Sequence, residues 1–162
     1  MQTAEIYEGL EDEAHLQLRE DGSLRHLLTL KGLDKATLTG LLDHAESFLT
    51  PMGAYPARSD ALSGRTVANL FFEASTRTRA SFDLAGKRLG ADVLNLDVNT
   101  SSRKKGESIL DTIYTLQAMQ VDVMVVRDAS AGVPAYITRH INDHVSILNA
   151  GEAEISHPTQ GL

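Results

Sequence analysis

Between Ser75 and Arg79 the chain sets three hydroxyl side chains and two guanidinium groups in five residues, directly after the apolar run that ends "FF". This is where a strand is expected to hand over to a helix. Free backbone N–H groups and the positive end of the helix dipole favour an anion at such a point. Ser75, Thr76 and Thr78 would add hydroxyl donors, and Arg77 a planar fork that fits two phosphate oxygens. A Ser/Thr N-cap with solvated arginines is the plainer reading of the same residues. The segment matches neither G-x-x-x-x-G-K-[ST] nor G-x-G-x-x-G, so a nucleotide is not implied.

Three further segments carry unusual chemistry. "TSSRKKGES" puts Ser101, Arg103, Lys104 and Lys105 in a loop ending at Gly106; it reads as a solvated turn or as a lid for anionic substrates. "MVVRD" puts Arg127 at the end of an apolar strand, where an unpaired guanidinium would be costly, and a pair with Asp128 is the simplest remedy. "HPTQ" brackets Pro158, well suited to the first position of a helix, with His157 and Gln160, an imidazole and an amide that could address a small carbonyl-containing ligand. In "HINDH", His140, Asp143 and His144 are explained by a solvated helix end rather than a metal site. Glu73 reads as a brace for arginines. Neither a Ser-His-Asp arrangement nor a carboxylate pair for acid–base work is evident.

The elements that must position these groups alternate. Leu38, Leu41, Leu42, Ala45 and Phe48 recur at helical spacing after an N-cap at Asp34. Strands are predicted at Thr66–Phe72, across "ADVLNLD", at Val121–Val126 and across "HVSILNAG". Between them lie a helix over Arg77–Leu89, with Thr78, Phe82, Ala85 and Leu89 on one face and Arg79, Asp83 and Lys87 at ion-pair spacing, an amphipathic helix over "ESILDTIYTLQAM", and a weaker one interrupted early by Pro134. Strands separated by helices of this length mean repeated βαβ units. The expected class is therefore α/β: a doubly wound, parallel four-stranded sheet with helices on both faces. Ligands bind at the carboxyl ends of such strands, and all four chemical segments follow strand ends.

At 162 residues, with 42% hydrophobic and 23% charged residues, the chain fits one ordinary globular domain. It has no cysteine, which removes disulfides and thiol chemistry and agrees with a reducing cytoplasm. The N-terminus is neither a signal nor a transit peptide, and no run could span a membrane. Residues 1–22 carry seven acids and one base, leaving fifteen acids and fourteen bases in the rest. An acidic extension (1–22) on a neutral body (23–162) argues against a nucleic-acid partner.

Taken in order and spacing, "FFEASTRTRASFDLAGKRLG", "NTSSRKKGESILDT", the arginine closing the third strand and "NAGEAEISHPTQG" resemble the N-terminal half of the aspartate/ornithine carbamoyltransferase family over roughly residues 23–162. "SSRKKGES" and "NAG" are similar to its aspartate branch. The resemblance implies the carbamoyl-phosphate domain of an enzyme that transfers a carbamoyl group to L-aspartate in pyrimidine synthesis, with no cofactor or metal. It implies that Ser75, Thr76, Arg77 and Thr78 hold the phosphate, that Arg127, His157 and Thr78 surround the carbonyl oxygen, and that Gln160 meets the carbamoyl amide. It further implies a cytoplasmic homotrimer in which Ser101 and Lys105 reach a neighbouring subunit's site, Lys105 also meeting aspartate. Regulatory subunits or a dihydroorotase are further candidate partners.

Three departures from the family stand out. Asp128 follows Arg127 where a histidine is common, and Gly151-Glu152-Ala153 stands where Gly-Asp-Gly is common. The aspartate-binding domain is not within these residues, so residues 1–162 alone are expected to bind carbamoyl phosphate without turnover. A non-catalytic carbamoyltransferase-like scaffold, or an anion-binding module serving a partner enzyme, is the alternative expectation.

Overall fold

The computed structural model describes residues 15–97, 108–153 and 156–162. Its centre is a parallel sheet of four strands, β1 (Thr66–Phe71), β2 (Asp92–Asp97), β3 (Val123–Asp128) and β4 (Ser146–Glu152), in the spatial order β2-β1-β3-β4. The connecting helices are α2 (Thr76–Arg88), α3 (Ile109–Ala118) and α4 (Val133–Thr138), with α1 (Lys35–Glu46) before the sheet and a short α5 (Pro158–Gly161) after it. The order reverses at β1, so the βα turn leaving β1 and the one leaving β3 open onto the same crevice, the usual ligand position of an open α/β sheet.

Strand alternation sorts the core into two faces. Ala68, Leu70, Met124, Val126 and Ile147 pack on one face with Ile113 and Leu116 of α3 and with Val133, Ala135 and Ile137 of α4. Val67, Phe71, Val125 and Ala150 face the other side, where Phe82 of α2 and Leu62 join them. The backbone of α2 comes close to the sheet because residue 86 is glycine: a Cβ there would stand 2.8 Å from Val93 Cγ2. No described helix is long and apolar enough to cross a membrane.

Several expected boundaries shift. β3 begins at Val123 and runs to Asp128, two residues later than its apolar run suggests, so Arg127 lies inside the strand. Pro134 does not interrupt α4. It sits in the first turn, where its missing N–H costs nothing. The apolar stripe of α1 exists, and Asp34 caps it by accepting from Thr37 N at 2.7 Å, yet the helix buries no residue and Leu42 is exposed. Periodicity reports a face able to pack, and among the described residues no surface covers this one.

The N-terminal side holds a feature that sequence patterning misses. Leu27 pairs with Leu148 in parallel, extending the sheet beyond β4. Gln17, fully buried although it falls in the acidic stretch, accepts from Leu28 N (2.7 Å) and Thr29 N (2.9 Å). His26 is buried as well, and its Nδ1 accepts from Ile147 N at 2.9 Å.

Candidate functional site

The carboxyl ends of β1, β3 and β4 frame a cleft of about 620 Å³ whose lining includes Ser75, Arg77, Thr78, Arg127, His157 and Gln160. Three of the four chemical segments of the sequence thus meet here. Phe82 and Ala85, expected on one packing face of α2, form the apolar side of this cleft with Ser81 at its edge, and Thr159 joins His157 on the far side. Thr76, the first helical residue, is exposed and outside the lining. Ser101 and Lys105 lie outside the described residues.

The turn between β1 and α2 is not a capped helix start. Ser75 occupies the N-cap position with extended backbone but makes no side-chain cap bond. Its hydroxyl donates instead to Thr78 Oγ1 at 3.0 Å. The first-turn N–H groups of a thirteen-residue helix therefore receive no capping oxygen from Ser75, at an end of the helix where Ser75, Arg77 and Thr78 line the cleft. Arg77 is exposed beside them, and among the described residues its guanidinium has no hydrogen-bond or ionic partner.

Arg127 is held differently. Its Nη2 pairs with Glu73 Oε2 at 3.1 Å and its Nη1 donates to the Ala150 carbonyl at 3.1 Å. The expected pair with Asp128 is replaced by the Glu73 pair, because consecutive strand residues point to opposite faces of a sheet. Asp128 is buried on the other side, where Oδ1 accepts from Ser130 N at 2.8 Å. Glu73 is the arginine brace read from the sequence. On α2, Asp83 accepts from Lys87 Nζ (2.8 Å), at the ion-pair spacing expected, and from Asn95 Nδ2 (2.8 Å).

His157 stands half-buried just before α5, whose first residue is Pro158. Burial and then the Arg127 charge hold its imidazole below the ordinary value of 6.5, so a neutral ring faces the cleft at pH 7. Its Nδ1 lies 3.3 Å from Thr159 Oγ1. Gly151, at φ +118°, makes the close contact possible: a Cβ there would collide with Arg127 Nη1 and come within 3.2 Å of His157 Cδ2. The other histidines stand apart from the cleft. His140 packs on the Tyr136 ring at 4.8 Å, and Asp143 pairs with Arg25 at 3.3 Å.

Residues 25–162 match the family described as aspartate/ornithine carbamoyltransferase, carbamoyl-P binding domain. The chain belongs to that family. Its fold superposes on the catalytic subunit of M. jannaschii aspartate transcarbamoylase with a TM-score of 0.72 and 36% identity, covering 85% of this chain and 44% of that one. Aspartate transcarbamoylase from Trypanosoma cruzi in complex with aspartate and phosphate gives 0.73 and 34%, over 84% and 41%. Ornithine carbamoyltransferase from Thermus thermophilus gives 0.69 and 26%, over 80% and 43%. These 162 residues thus span about two-fifths of the solved carbamoyltransferases they match.

Proposed function

We propose that the chain is the carbamoyl-phosphate half of an aspartate carbamoyltransferase, acting in pyrimidine synthesis in the cytoplasm. The observation that carries this reading is the single cleft shared by the uncapped start of α2, two arginines, a neutral imidazole and Gln160. The reaction is attack by the amine nitrogen of L-aspartate on the carbonyl carbon of carbamoyl phosphate. A C–N bond forms, the C–O bond to phosphate breaks with its electron pair leaving on phosphate, and the departing phosphate takes up the proton that the amine gives up.

Each group has a task that its chemistry suits. The α2 N–H groups, Ser75, Thr76, Arg77 and Thr78 take the phosphate. Arg127, His157 and Thr78 direct donors at the carbonyl oxygen as it becomes anionic, and a positioned donor of that kind is worth about 2.7–4 kcal/mol. A neutral His157 suits this role, since it can donate one ring N–H without adding a second fixed charge beside Arg127. Gln160 orients the carbamoyl amide. Most of the rate then comes from holding two substrates in line. Ser101 and Lys105 from a neighbouring subunit of a homotrimer would complete the site, Lys105 reaching aspartate.

Aspartate rather than ornithine as acceptor is supported by the 34–36% identity to aspartate transcarbamoylases against 26% to the ornithine enzyme. The test is to incubate the full-length protein with carbamoyl phosphate and either amine and to measure the carbamoylated product. Carbamoyl-aspartate is expected. Carbamoyl-ornithine would move the chain to the other branch, and binding of carbamoyl phosphate without either product would make it a scaffold.

A further inference from the structure

Two buried polar side chains outside the cleft lining, Asn149 and Glu152, bond to each other beside Gly151, on the way to His157. β3 and β4 pair in register up to Val126↔Asn149 and resume at Asp128↔Glu152, so β4 takes three steps where β3 takes two. The extra residue is a β-bulge, a device that re-aims side chains next to functional sites. Inside it lie Ala150, whose carbonyl receives Arg127 Nη1, and Gly151, whose bare Cα leaves room for Arg127 and His157.

Two side chains bracket this bulge. Asn149 is fully buried: Oδ1 accepts from Gly151 N (2.9 Å), while Nδ2 donates to Leu28 O (2.9 Å) and to Glu152 Oε1 (3.0 Å). Glu152 is 3% exposed, and its other oxygen, Oε2, accepts from Gly132 N at 2.7 Å, at the start of α4. Its backbone N donates to Ser156 O (3.0 Å), fixing the residue just before His157. Ala153, next along, is held at φ +42°, a left-handed conformation that strains a non-glycine residue. A carboxylate this deep must be over-determined by its donors.

We infer that Glu152, through Asn149, is a positioning residue for Arg127 and His157, spanning from α4 to the β4 bulge so that the guanidinium and the imidazole share one side of the cleft. This rests on the carbamoyltransferase reading only for its effect on rate. The positioning itself can be measured without turnover.

The test uses full-length protein and the Glu152→Gln variant, which keeps the shape but offers one acceptor where Glu152 offers two. Ring-labelled histidine NMR, assigned with a His157→Asn control, follows His157, whose surroundings are Arg127, Glu73 paired to it, and Arg77 across the cleft. If Glu152 positions the pair, the His157 midpoint rises toward 6.5 in the variant as Arg127 moves off. Turnover falls on the order of a hundredfold, as for about an ångström of misplacement. Glu152→Asp with Ala153→Gly, which frees the turn to carry the shorter carboxylate back, restores both. An unchanged His157 titration in a folded Glu152→Gln protein overturns the inference, whatever happens to kcat. Should Glu152→Gln fail to fold, Glu152→Asp alone decides by the same NMR criterion. A protein that lacks carbamoyltransferase activity but shows the His157 shift would refute the function and leave the positioning standing.

Discussion

The two edges of the sheet use arginine in opposite ways. At the amino edge, Arg65 Nη1 meets Asp122 Oδ1 at 2.7 Å, and the same carboxylate accepts from Thr66 N at 2.8 Å. That edge satisfies its own charges. At the carboxyl edge, Arg127 has one carboxylate and one carbonyl, and Arg77 stands among uncapped N–H groups. In a parallel sheet every helix following a strand starts at the carboxyl edge, so its dipoles add positive potential there, and fixed cations on top of them leave the edge wanting an anion. The difference teaches that an arginine near a strand end is informative only once its partners are known.

The largest break in this contrast is expected from Arg77→Ala, which should remove carbamoyl-phosphate binding and turnover while leaving the circular-dichroism spectrum intact. Near-wild-type activity would sink the site assignment. Arg127→Ala should lower kcat about 10²–10³-fold, the cost of one oxyanion donor, in steady-state assays. Arg65→Ala at the opposite edge should leave kcat unchanged; a loss there would mean that the two edges are not independent.

Below these in size come two effects on stability. His26 is neutral in the fold, since its Nδ1 accepts a backbone N–H; burial first, then the Arg25 and Arg19 charges, lower it from 6.5 to about 4. Unfolded chains therefore take up this proton first. The contribution of His26 is complete above pH 6.5 and is lost as the pH falls through about 4, a loss approaching about 3 kcal/mol. Urea melts between pH 7 and 4 read it, and His26→Gln should flatten that part of the curve. Ala153→Gly should stabilise by about 1 kcal/mol by releasing the left-handed backbone strain, detectable as a rise in Tm. The smallest effect is that of Arg65→Ala on stability, about 0–1 kcal/mol for a pair whose arginine is mostly exposed.

Much of this was legible in the residues. Alternating apolar runs and helical stripes yield the parallel α/β order, which places Ser75 and His157 after strand ends and Arg127 close to one. Glu73 as a brace follows from its position beside the arginines. What the chain order could not supply was pairing across space: Asn95 of the neighbouring strand for Asp83, and Glu73 rather than Asp128 for Arg127. The burial of Gln17 was hidden too, because a polar residue in an acidic stretch carries no signal of the two backbone donors that it meets only in the fold.

By itself, the sequence determined which elements form and which chemical groups sit at their ends, because propensity, periodicity and capping act within a few residues. Only the tertiary structure decided which of those groups share a cleft. That depends on the reversal of strand order at β1, on the extra residue in β4, and on a glycine that lets a guanidinium and an imidazole approach the same backbone. Those are contacts between residues far apart in the chain, and no local pattern encodes them.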